Sequence, residues 1–117
     1  MYTYEQASGR FAKEGTVIAT GYSGFGLGQN NSLYEPVPNV GPIPRGAYII
    51  GSPYNSDSHG PVVLPLIAKH AAFGRNGFLI HGDSTTAPGQ ASHGCLILDR
   101  PTRELIAVGE DHDLMVL

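Results

Sequence analysis

"GFLIHGDSTTAPGQASHGCLIL" (residues 77–98) carries two apolar runs, one ending at His81 and one opening at Cys95. Both runs are short and apolar, which suits buried central strands. The polar connection between them contains Gly82, Pro88, Gly89 and Gly94, the residue types that turn a chain back. If the two strands are neighbours, the loop returns the chain so that the His81 imidazole and the Cys95 thiol meet at one rim of a sheet.

Working outward, the same texture fills most of the chain. "YTYE" alternates, "ASG" turns, "RFAKEG" alternates again, and "TVIATGY" is a β-branched run after Glu14-Gly15. Strands are expected again at "AYIIG" (47–51) and "VVLPLIA" (62–68), where Pro65 predicts an edge strand or a bulge. "RPTRELIAVG" has Pro101 near its start and Gly109 past its end, the asymmetry of a short helix, and "DLMVL" closes the chain as a strand. Between Ser23 and Gly46 no period is visible. That stretch is rich in proline, which fixes φ, so a stiff and functional loop is expected there. The fold class is mostly β with one short late helix, in a single domain spanning residues 1–117.

Composition narrows the partners. Ten acidic against seven basic side chains leave the chain mildly negative, with no Lys/Arg cluster of the kind that binds nucleic acid. No apolar stretch approaches the roughly 20 residues of a membrane span. "MYTYEQASGR" lacks the charged and apolar regions of an ordinary signal peptide. The single cysteine cannot form an internal disulfide.

A lone cysteine can be a small hydrophobe or a nucleophile. Here it follows Ser92-His93-Gly94 and lies one loop downstream of His81. A thiol needs a neighbouring base to become a thiolate near neutral pH, so His81 is expected to lower the Cys95 pKa. The base in turn needs its second nitrogen held by an acceptor, for which a backbone carbonyl serves. Gly94 gives the backbone freedom to aim N–H groups at a developing oxyanion. Together these residues point to acyl transfer. The five histidines match no closed zinc site, and no metal or other cofactor is expected.

The motif "IHGDSTTAPGQASHGCLIL" resembles the L,D-transpeptidase (YkuD-type) signature. "TGYSGFG" (20–26), Asn30-Asn31, "NVGPIPRGAYIIG" (39–51) and "GFLIHGD" (77–83) are similar to the small transpeptidase-like domains among type VI-secreted cell-wall effectors. The resemblance covers about Tyr4 to Leu117 and implies a YkuD-like β-sandwich or barrel acting on peptidoglycan stem peptides. It implies Cys95 as nucleophile and His81 as general base, oriented by the Gly82 carbonyl. His93 and the backbone at Gly94 and Cys95 would line the oxyanion side, and Ser92 would hold the loop. Action in the periplasm of a target cell, export by a secretion system and a cognate immunity protein also follow from it.

The chain departs from the family at Leu96-Ile97-Leu98, where many relatives carry a polar residue that meets substrate carboxylates. Arg75 and Arg45 are the remaining candidates for that contact, because guanidinium pairs with carboxylate bidentately. Asp83 and Tyr22 complete the expected substrate contacts. Papain-like enzymes place cysteine before histidine and at a helix N-terminus, so they fit poorly. A non-catalytic wall-binding or thiol redox module on the same fold remains the alternative.

Overall fold

The computed structural model describes residues 1–117. Ten strands form one connected sheet: β1 (Tyr2–Tyr4), β2 (Arg10–Lys13), β3 (Thr16–Thr20), β4 (Tyr22–Ser23), β5 (Gly46–Ile50), β6 (Tyr54–Ser56), β7 (Gly60–Ala68), β8 (Leu79–His81), β9 (Leu96–Ile97) and β10 (Asp113–Val116). Their lateral order is β3-β2-β1-β10-β5-β7-β8-β9-β4, with β6 paired to β7. One helix, α1 (Arg100–Val108), precedes β10. The chain is therefore mostly β with one short late helix. No helix is long and apolar enough to cross a membrane.

Alternation along the strands builds the core. Tyr2 and Tyr4 of β1, Phe11 of β2, Tyr48 and Ile50 of β5, Ile80 of β8, Leu96 of β9 and Leu114 of β10 all bury into one apolar cluster. Helix α1 starts where Asp99 accepts a hydrogen bond from Thr102 N at 3.0 Å, with Pro101 in its first turn. It buries Thr102, Arg103 and Ile106.

The path of the sheet begins at β3 and ends at β4, and only Gly21 separates those strands in sequence. Gly21 N donates to Gly9 O at 2.7 Å. A Cβ on Gly21 would sit 2.0 Å from Ile97 O, and one on Gly9 would sit 2.0 Å from Gly21 O. Only glycine allows the backbone to close at this seam.

Two features differ from the sequence reading. Pro65 lies in β7, which pairs with β5 and β8 and is not an edge. Its carbonyl accepts from Gly51 N at 2.8 Å, one residue beyond the end of β5. The donor that proline lacks would thus point past the end of the neighbouring strand, where nothing requires it. The second concerns β6, which forms a hairpin with the start of β7 although "YNS" carries no apolar alternation.

The stretch after β4 is ordered, as its prolines predict. It contains two 3-10 turns, Gly26–Gly28 and Ser32–Tyr34, the second capped by the Asn31 side chain.

Candidate active site

Strands β8 and β9 are neighbours and parallel, with Ile80 opposite Leu96 and His81 opposite Ile97. Paired residues of a parallel ladder share a face, so Ile80 and Leu96 enter the core, and by alternation His81 and Cys95, which immediately precedes β9, fall on the other face. Their Cα atoms are staggered by two residues, about 8 Å apart from strand spacing and rise. No hydrogen bond joins the imidazole to the thiol. The cavity of about 400 Å³ beside Cys95 is lined by Pro38, Phe73, Arg75, His93 and Gly94, among others. His81 faces a second cavity, of about 680 Å³, with His59, Gly82, Asp83 and Arg103.

His81 is 4% exposed. Its Nδ1 donates to Gly82 O at 2.9 Å, which fixes the neutral tautomer with Nε2 free to accept a proton. Burial pushes its pKa down, and nearby His59 and Arg103 push the same way against the Gly82 hydrogen bond. The His59 ring lies on the His81 ring at 4.6 Å between centroids.

Burial also pushes the Cys95 thiol up, opposed by a backbone hydrogen bond from Leu79 and by the charge of Arg75. This differs from the thiolate expected beside a histidine: no hydrogen bond from His81 offsets the burial. At neutral pH the resting pair is thiol and neutral imidazole. Alkylation of Cys95 by iodoacetamide is expected to rise through a midpoint above the usual thiol value of about 8.5. His81→Ala should leave that midpoint in place. A midpoint below the usual value, or one shifted by the substitution, would contradict this arrangement.

Ser92 knits the loop that carries Cys95. Its hydroxyl donates to Cys95 O at 2.5 Å and accepts from Gly24 N at 2.9 Å and Gly94 N at 3.1 Å. The Gly94 N–H therefore has a hydrogen-bond partner within its own loop. Glycine is needed there for a different reason. Its φ is +132°, and a Cβ would lie 2.5 Å from Arg75 Nη2. Ser23, whose part the sequence does not reveal, accepts from Ile43 N at 2.7 Å and donates to Gly94 O at 3.2 Å. His93 stacks on Phe25 at 4.9 Å and its Nδ1 donates to Asn39 O at 3.1 Å, so it ties the long loop to the cavity wall.

The expected substrate contacts have other partners. Arg75 Nη1 donates to Glu35 O (2.7 Å) and Pro42 O (2.8 Å), and Nη2 donates to Gly41 O (3.0 Å). Arg75 lines the Cys95 cavity, but most of its donors hold the loop. Arg45 Nε pairs with Glu35 at 3.0 and 3.2 Å and lines neither cavity. Glu35 is 3% exposed, and a buried carboxylate needs that cation. Tyr22 OH donates to Asp83 Oδ1 at 2.6 Å and accepts from Ala91 N at 2.9 Å. Burial and the Asp83 carboxylate push the Tyr22 phenol up to about 12. Asp83 also accepts from Ser84 N and Gly89 N, so Tyr22 and Asp83 shape the connection between β8 and β9 from within.

Residues 17–115 match the sequence model of a family described as the Tlde1 domain. No curated protein matches the chain.

Proposed function

Since this chain belongs to the Tlde1 domain family, we propose that it is a peptidoglycan-modifying cysteine enzyme of a type VI secretion effector. Its substrate is the tetrapeptide stem, cut between meso-diaminopimelate and the terminal D-Ala. The observation that carries this reading is the pairing of β8 with β9, which sets His81 and Cys95 on one face of adjacent strands. The tautomer fixed by Gly82 adds to it.

In the first step the Cys95 sulfur bonds to the carbonyl carbon at the L-centre of diaminopimelate, and its proton passes to His81 Nε2. The resting thiol is protonated, so transfer accompanies attack. The substrate carbonyl enters the gap between the two staggered side chains. Arg75, the cation whose charge acts on Cys95, stabilises negative charge beside the sulfur. Collapse breaks the C–N bond, and the imidazolium returns its proton to the departing amine. D-Ala leaves and a thioester remains. Water then yields the tripeptide acid and the free thiol, whereas another D-amino acid yields an exchanged stem.

A redox role fits less well, because redox thiols are exposed and acidic while this one is partly buried and raised. The site of action is the periplasm of a target cell, and an immunity protein protects the producer.

The test is incubation with purified sacculi under reducing conditions and mass spectrometry of the muropeptides. Loss of tetrapeptides to tripeptides is expected, and their persistence would remove the enzymatic reading. The acid limb of kcat/KM should fall below 6.5, the ordinary histidine value. The sign follows from the base: once protonated, His81 cannot take the thiol proton, and burial delays that protonation to lower pH.

A further inference from the structure

Arg103 of α1 is 6% exposed yet joins no salt bridge. Its Nε donates to Leu98 O at 3.1 Å, and its Nη1 donates to Pro61 O at 2.6 Å and Val62 O at 3.1 Å. All these partners are neutral carbonyls; the Asp99 and Glu104 carboxylates act on the guanidinium through space but make no ion pair with it. A buried cation without a hydrogen-bonded counter-ion is costly unless something else supplies the charge. The remaining nitrogen, Nη2, has no protein acceptor, and Arg103 is part of the wall of the His81 cavity. It lies 2.7 Å from where a Cβ on Gly82 would stand. A side chain at position 82 would therefore occupy the space in front of the guanidinium.

The backbone that holds Arg103 is strained. Val62 has φ +56°, an outlier for a β-branched residue. Asn55 Oδ1 accepts from Val62 N at 3.2 Å, while the Val62 carbonyl turns to Arg103. Strain of this kind persists where the surroundings over-determine it.

The two cavities differ in their free donors. Beside Cys95, Arg75 has given both Nη1 hydrogens and one Nη2 hydrogen to the loop. Beside His81, Arg103 keeps its whole Nη2 group free. This difference orients the substrate. The acid that protonates a departing amine must stand on the leaving-group side, and in a terminal D-amino acid the carboxylate carbon is two bonds from that amine.

We propose that the His81 cavity is the leaving-group subsite, in which Arg103 Nη2 binds the carboxylate of the terminal D-amino acid. The same subsite receives the carboxylate of a free D-amino acid during exchange, and the stem approaches through the Cys95 cavity. This rests on the thioester reading above and adds the substrate's direction. It also assigns the carboxylate contact that Leu96-Ile97-Leu98 leaves open.

The experiment compares the wild-type protein on two synthetic tetrapeptide stems, one ending in D-Ala and one in D-alaninamide. The acid should be cleaved at least about tenfold faster in kcat/KM, because a buried donor set rejects a ligand lacking its charge. D-Alanine should likewise exceed D-alaninamide as an exchange acceptor. Equal rates on both stems would overturn the subsite while leaving the enzyme reading intact. No cleavage of either would overturn the enzyme reading and the subsite with it. Arg103→Gln, checked for folding by circular dichroism, should bring the two stems within about twofold. Should that variant not fold, Arg103→Lys replaces it: a charge without the fixed fork should weaken acid preference severalfold. A folded variant with undiminished preference would show that Arg103 is not the anchor.

Discussion

Cys95→Ala is expected to abolish tetrapeptide conversion, by about a thousandfold or more, since no attack on the carbonyl remains. The chain has no other cysteine to substitute for it. The fold should be unaffected. The side chain is partly exposed and outside the apolar cluster, so losing one sulfur should cost about 1 kcal/mol or less. Muropeptide mass spectrometry and a thermal melt check both halves. Expressed with a signal peptide in a Gram-negative host, the wild type should be toxic and Cys95→Ala tolerated. Conversion that survives the substitution would move the nucleophile away from β9.

Arg75→Ala should have the largest effect on stability. Its guanidinium binds three carbonyls of the loop between β4 and β5 and lies over the Phe78 ring at 5.3 Å. Removing it leaves those acceptors to water or to nothing, which costs about 2–4 kcal/mol for charge-assisted bonds at a half-buried site. The melting temperature should fall on the order of 10 °C for a domain of this size. Activity should fall too, because Pro38 and Asn39 of that loop wall the Cys95 cavity. Arg75→Lys should rescue little, since one ammonium cannot span three carbonyls set around a planar fork. A melt unchanged from wild type would mean that the loop is held by Ser23, Ser92 and Glu35 without it.

What the sequence revealed was local. Tyr2–Tyr4, Arg10–Lys13 and Thr16–Thr20 announce themselves because alternation and turn glycines act over a few residues. The closeness of His81 and Cys95 in the sheet was legible because one short apolar run ends at His81 and the next opens at Cys95. Pro65 was misread because the edge rule depends on which neighbour the missing donor would face. The arginines were opaque for a related reason. Arg75 is held by carbonyls 33–40 positions away, and Arg103 by carbonyls 41 and 42 positions away, and backbone acceptors carry no residue signature. Gly94 was singled out correctly as a special position, but what demands glycine is a left-handed φ and the crowding of Arg75. His59 looks like any polar loop residue until the β6–β7 hairpin lays it against His81.

Along the path of the sheet, strand β10 is the one that pairs with both groups of strands, β3-β2-β1 on one side and β5 through β4 on the other. It pairs Leu114 with Tyr2 in parallel and with Tyr48 in antiparallel register. It follows the other nine strands in chain order, so residues 1–108 contain His81 and Cys95 but not the strand that pairs with both groups. Closing that gap couples residues about a whole chain length apart, which is slow because the loop entropy is spent before the contacts form. Folding is thus expected to be slow and to wait on β10, the strand that gives the two groups a shared ladder.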